Sequence, residues 1–183
     1  MSFLNDIKRG IQQRTLKKQL SKKDRKTGAM NMAKAKLIGL VFDATNLSER
    51  NTVLTYADQL KKKGKQVRLL GYFEQTPQED SFAFKHYTKK DINWKGIPSG
   101  QSIKEFLDKK LDLFIHLNLN TNLHSESIAA LSDASLKIGP VTENVHCYDL
   151  MIDPAKNQNL SDFIKQVEAL LQKTNTEHEP TNV

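Results

Sequence analysis

Residues 111–140 read LDLFIHLNLNTNLHSESIAALSDASLKIGP, and this stretch decides the fold. Leu111 to Leu117 is a nearly continuous apolar run, the pattern of a strand buried on both faces. A polar turn carrying Asn118, Asn120 and Asn122 follows. Leu123 to Asp133 then has helical spacing, with Thr121 or Ser125 as its cap, and Leu136 to Gly139 opens a second strand. Strand, turn, helix and strand in that order form a βαβ unit, in which the two strands lie parallel.

The same alternation extends in both directions. Lys36 to Phe42 (KLIGLVF) predicts another strand buried on both faces. Leu47 to Lys63 predicts an amphipathic helix with Val53, Tyr56, Ala57 and Leu60 on one side. Asn46 and Glu49 have the spacing of a capping box, and Gly64 ends the helix after a lysine-rich last turn. Gln66 to Phe73 is a strand, Phe82 to Tyr87 a short one, Ser102 to Lys109 a short helix, and Tyr148 to Ile152 a further strand. Asp91 to Gly100 is irregular, with Trp94 as its anchor. Leu160 to Leu171 closes the pattern as an amphipathic helix. The fold class is therefore α/β: a single Rossmann-like, mostly parallel sheet with helices on both faces, preceded by a basic helical arm. The expected division is an arm and linker over 1–34, the α/β domain over 35–172, and a polar tail over 173–183.

The chain has 183 residues and a net charge of +7, which is unevenly placed. Residues 1–36 hold eleven Lys/Arg and two acids, whereas the remaining residues hold seventeen bases and nineteen acids. Electrostatic arguments for an anionic partner therefore apply to the arm. Its cations Arg9, Arg14, Lys17, Lys18, Lys22, Lys23, Arg25 and Lys26 are the candidate contacts. Lysine and arginine clusters bind phosphate through charge and counterion release without base-specific geometry. RNA or a ribonucleoprotein such as a ribosome is the first partner expected. With Phe3 the only aromatic residue of the arm, base-specific reading is not expected there. An anionic membrane surface is the second, because Phe3, Leu4, Ile7 and Ile11 share a helical face. A solvated tail, or a helix packed against the body or a protein partner, is the plainer alternative.

No apolar run reaches transmembrane length, and the amino-terminal residues lack the apolar core of a secretory signal. Cys147 is the only cysteine, so no internal disulfide can form. The expected compartment is the cytoplasm.

Chemistry-bearing motifs are few. The first strand-to-helix turn, DATNLSERN from Asp43 to Asn51, contains no glycine, so a dinucleotide or P-loop phosphate cradle is not expected. The five histidines show no metal-ligand spacing, there is no CxxC, and no GxSxG elbow occurs. His146 and Cys147 are neighbours, but adjacent strand residues point to opposite faces. No cofactor, metal or catalytic residue is assigned. The remaining candidate for a small-molecule pocket is Asp43, Asn46, Asn118, Asn120, Asn122 and His124, at the carboxyl ends of two strands. The same residues also suit turns and helix caps, and the sequence leaves both roles open.

Taken in order, KLIGLVFDATN, GKQVRLLGYF, FKHYTKKDINWKGIPSG, LDLFIHLNLN and ALSDASLKIGP resemble a family of small proteins of Bacteroidota with no assigned activity. Residues 111–140 also resemble, over about thirty positions, the amino-terminal Rossmann-like half of heptosyltransferase-type glycosyltransferases. That resemblance implies the fold. It also implies a sugar- or nucleotide-binding, transferase-like domain as the alternative to a non-catalytic binding or adaptor protein.

Overall fold

The computed structural model describes residues 30–78, 81–120, 122–143, 147–154 and 159–176, together with Gly10. The eight candidate cations of the arm, as well as Thr121 and His146, lie outside the described residues.

Among the described residues, six strands and four helices follow one another along the chain. They are β1 (Leu37–Asp43), α1 (Leu47–Lys62), β2 (Gln66–Phe73), β3 (Lys85–Thr88), α2 (Gln101–Leu107), β4 (Leu111–His116), α3 (Leu123–Leu131), β5 (Ala134–Pro140), β6 (Leu150–Ile152) and α4 (Leu160–Thr176). A single 3-10 turn, Lys89–Asp91, follows β3. The strands form one sheet in the order β3-β2-β1-β4-β5-β6. Every pairing is parallel, so "mostly parallel" sharpens to all-parallel among the described strands. The order reverses at β1: β2 and β3 are added on one side of it, and β4, β5 and β6 on the other. The crevice above the carboxyl ends of β1 and β4 is therefore the switch point where such sheets take ligands.

Strand alternation divides the core. Ile38, Leu40 and Phe42 of β1 join Val53, Ala57 and Leu60 of α1 and Phe163, Val167 and Leu171 of α4. On the other face, Val41 joins Ile103 and Phe106 of α2 and Ile128 and Ala129 of α3. Helices thus cover both faces, which is why the central strands read as unbroken apolar runs rather than alternating ones.

Two local expectations are corrected. The third strand begins at Lys85 rather than Phe82. Phe82 and Phe84 precede it and pack on Phe73, with ring centroids 5.0 and 6.2 Å away, so an apolar loop imitates a strand in the sequence. Trp94 is not a buried anchor, since it is 69% exposed. Of the expected arm and linker over 1–34, the described part from Met30 onward touches the body: Met30 and Met32 pack on the α1/α4 core and Lys65 Nζ donates to the Ala33 and Ala35 carbonyls.

Candidate functional site

The carboxyl ends of β1 and β4 are tied together by a side chain. Asn118 Oδ1 accepts from the Asp43 N–H at 2.7 Å, continuing the β1–β4 pairing one step past the ladder. Asp112 braces the opposite end of the same pair, where its Oδ2 accepts from the Lys36 and Leu37 N–H groups at 2.8 and 2.9 Å. Asp43 Oδ1 accepts from Thr45 N–H at 2.8 Å, which folds the glycine-free turn into α1.

Both helices that start at the crevice are capped by their own residues. Asn46 Oδ1 accepts from the Ser48 and Glu49 N–H groups at 2.9 and 3.1 Å. Asn122, rather than Thr121 or Ser125, is the cap of α3, and its Oδ1 accepts from Ser125 N–H at 2.9 Å. Free N–H groups at a helix start are what hold a phosphate in dinucleotide-binding sheets. Here asparagine side chains already occupy them. Asn120 is exposed.

His124 is placed differently. It sits in the first turn of α3 and reaches toward the ends of β2 and β3. Its Nδ1 pairs with the Tyr87 hydroxyl at 2.9 Å, and its ring lies 4.2 Å from the Tyr72 ring, centroid to centroid. Tyr72 in turn donates to Glu74 Oε2 at 2.7 Å, and Lys89 Nζ stands 3.2 Å from Glu74 Oε1. Burial pushes the His124 imidazole down to about 4, against the opposing pull of the Asp43 and Glu74 carboxylates. Burial likewise raises the Tyr87 hydroxyl. At neutral pH the pair is therefore a protonated tyrosine against a neutral imidazole. The hydrogen bond from Tyr72, then that from Lys89, holds the Glu74 carboxyl below its usual range.

A second imidazole lies deeper. His116, at the end of β4, is fully buried, and its Nδ1 lies 2.6 Å from the Tyr148 hydroxyl. Burial, aided by His124, pushes it down to about 3. Its Nε2 has no hydrogen-bond partner. Close by in sequence, Glu126 is buried under α3 with Oε1 2.5 Å from the Thr142 hydroxyl. No group of three or more His, Cys, Asp or Glu among the described residues is arranged to hold a metal ion.

The structure thus brings Asp43 and Asn118 together and uses Asn46 and Asn122 as caps. It adds Tyr72, Tyr87, Glu74, Lys89, His116 and Tyr148 to the neighbourhood of His124. The sequence carried one signal for the tyrosines: both stand at or near the carboxyl end of a strand. Two cavities lie away from Asn118. One of about 350 Å³ is lined by Glu74, Gln75, Thr76, Thr88, Lys89 and Lys90 beside the ends of β2 and β3. The other, about 440 Å³, runs between α1 and α4 and includes Asn51, Thr55, Tyr56, Gln59 and Ser161.

The sheet order and the self-capped crevice define an all-parallel, Rossmann-order α/β protein without a glycine phosphate cradle. The chain belongs to a family of unknown function, DUF6913, whose sequence pattern matches residues 8–174. No curated protein matches it. Among solved structures it is similar to the E. coli heptosyltransferase WaaC with ADP, at 12% identity and a TM-score of 0.43. That match covers 80% of this chain and 49% of the other, so the chain spans about half the length of that protein. No helix among the described residues is long and apolar enough to cross a membrane.

Proposed function

We propose that this is a non-catalytic cytoplasmic binding protein. Its basic arm engages the phosphates of RNA or a ribonucleoprotein, and the α/β body serves as the rigid platform behind it. One observation carries the reading: eleven of the 28 Lys/Arg, against two of the 21 acids, lie in residues 1–36, while the rest of the chain is slightly acidic. A cationic segment joined to a neutral body is the composition of a phosphate-backbone contact. The crevice supports the same reading from the other side. Asp43, Asn46, Asn118 and Asn122 bond to backbone N–H groups that a nucleotide would otherwise need.

Affinity capture from cell extract, with and without RNase, tests the proposal on the full chain and on a chain lacking residues 1–33. RNase-sensitive recovery of ribonucleoprotein by the full chain alone is the expected result. RNase-insensitive capture, or equal capture by the shortened chain, overturns it. Recovery on anionic vesicles in place of RNA would move the arm's partner to a membrane surface.

A second reading rests on His124. Of the six candidate pocket residues, it is the one whose described hydrogen bond runs to another side chain. A neutral imidazole beside Asp43 and Glu74 suits a sugar hydroxyl. Titration with neutral hexoses and with nucleoside diphosphates, followed through the His124 ring resonances, tests it. Resonances unmoved at millimolar ligand remove the reading.

A further inference from the structure

A large indole left in water forgoes the strong contribution that its burial would make to the core. Trp94 is 69% exposed, and the loop that carries it is firmly built. Asn93 Oδ1 accepts from the Lys95 and Ile97 N–H groups at 2.9 and 3.1 Å. Asn93 N–H donates to the Ile97 carbonyl, and Gly96 N–H to the Asn93 carbonyl, at 3.1 and 2.9 Å. Gly96 takes φ +76°, which the turn requires and which a side chain would resist. Ile92 pairs with Pro98 below the turn, and Ser127 Oγ reaches the Gly96 carbonyl at 3.4 Å, seating the loop on α3. Trp94 therefore stands at the tip of a turn whose backbone is ordered and has little freedom left to lose on binding.

The surroundings identify the partner's charge. Lys95 Nζ stands 5.2 Å from the indole centroid, and Lys89 and Lys90, both exposed, are within five residues of the tip. The segment 85–110 holds seven lysines against three acids, in a body that is slightly acidic overall. Among the described residues the other exposed large hydrophobic side chains are Leu47, Val141 and Met151, none of them in the 91–100 loop. A protein partner of the usual kind would bring an apolar surround to the tryptophan. A flat aromatic face beside the Lys95 ammonium, on a lysine-rich segment, instead matches an unstacked base flanked by phosphates.

We infer that Trp94, with Lys89, Lys90 and Lys95, is a base-stacking platform for single-stranded RNA. The inference rests on the RNA reading of the arm and adds a second contact to it, on the body. The lysines take the phosphates on either side of the stacked base. The cavity that Lys89 and Lys90 line together with Thr88, Gln75, Thr76 and the Glu74 carboxylate paired with Lys89 leaves room for an adjoining sugar. Stacking of this kind tolerates any base, so the site adds affinity for single strands rather than a sequence preference.

Trp94 is the only tryptophan in the chain, which makes it a direct reporter. The full chain is titrated with a labelled twelve-nucleotide oligouridine at low salt, following label anisotropy and tryptophan emission together. The expected result is quenching that saturates with the anisotropy. Trp94→Ala should weaken binding about 5- to 150-fold, the range for losing one stacked base, with Trp94→Phe retaining most of the affinity. Equal urea midpoints would show that both variants remain folded. Binding by anisotropy with unchanged emission, or equal affinity of Trp94→Ala, overturns the platform while leaving the arm reading intact. No binding by the full chain overturns the arm reading and the platform with it.

Discussion

Acidification from pH 7 to pH 5 should destabilise this protein through two histidines that the fold keeps neutral. His116 is sealed between β4 and Tyr148 and lowered to about 3, first by burial and then by His124. His124 is lowered to about 4 by burial, with Asp43 and Glu74 pulling the other way. In the unfolded chain an imidazole titrates near 6.5, so between that value and the folded ones the unfolded state binds more protons. Stability is then fully present above roughly pH 6.5 and is lost as the pH falls. At pH 5, about 1.5 units below 6.5 at ~1.36 kcal/mol per unit, each histidine costs about 2 kcal/mol. His124, which is half-buried, contributes the smaller share. A combined loss of about 3–4 kcal/mol is large against a typical stability of 5–15 kcal/mol. Urea unfolding followed by far-ultraviolet circular dichroism, at half-unit pH steps, measures it. His116→Asn cannot titrate and should remove about half of the slope. A urea midpoint that does not move between pH 7 and 5, or a slope unchanged in His116→Asn, would refute the burial argument.

Other substitutions test the crevice and the core. Asn118→Ala leaves the Asp43 N–H without its 2.7 Å acceptor and should cost about 1–2 kcal/mol in urea unfolding; no loss would show that water replaces the bond freely. Gly139→Ala should destabilise by about 1–3 kcal/mol and change the near-ultraviolet spectrum of the tyrosines, since its Cβ would stand 2.5 Å from the Tyr148 ring; wild-type stability would contradict that packing. Cys147 is buried, and burial pushes its thiol up to about 12. It should therefore resist a disulfide reagent in the native state and react on unfolding, and rapid native labelling at neutral pH would contradict this.

How much was legible in the sequence differs by element. β1, α1 and β2 were readable almost to the residue because three independent signals agreed: unbroken apolar runs, an asparagine cap, and a glycine after a lysine-rich last turn. β3 was displaced because Phe82 and Phe84 are apolar for a different reason. They pack on Phe73 from a loop, with the Arg50 guanidinium 5.5 Å from the Phe82 ring. Trp94 misled because hydrophobicity argues for burial, whereas the Asn93–Gly96 turn chemistry that lifts it out is local and polar. Cys147 lies outside β6, which begins at Leu150, so a strand argument did not apply to it.

The candidate pocket residues were legible as chemistry, but their duties were not. An asparagine that caps a helix and one that binds a ligand look the same in sequence. Only the fold shows Asn118 bridging to a residue 75 positions away. The His124–Tyr87 pair spans 37 positions and a helical crossover, and no spacing rule reaches that far. His116 illustrates the reverse case. A histidine in an apolar strand run reads as core, and it is core, with Tyr148 supplying its polar partner.

The most direct test of the central claim is the salt dependence of RNA binding by the full chain and by the chain lacking residues 1–33. With the eight arm cations Arg9, Arg14, Lys17, Lys18, Lys22, Lys23, Arg25 and Lys26 on phosphate, the log–log slope should approach about −5 to −6. Affinity should then fall on the order of 10³-fold between 50 and 200 mM salt, and the shortened chain should lose most of its binding. A slope near zero, or undiminished binding without the arm, would contradict the account.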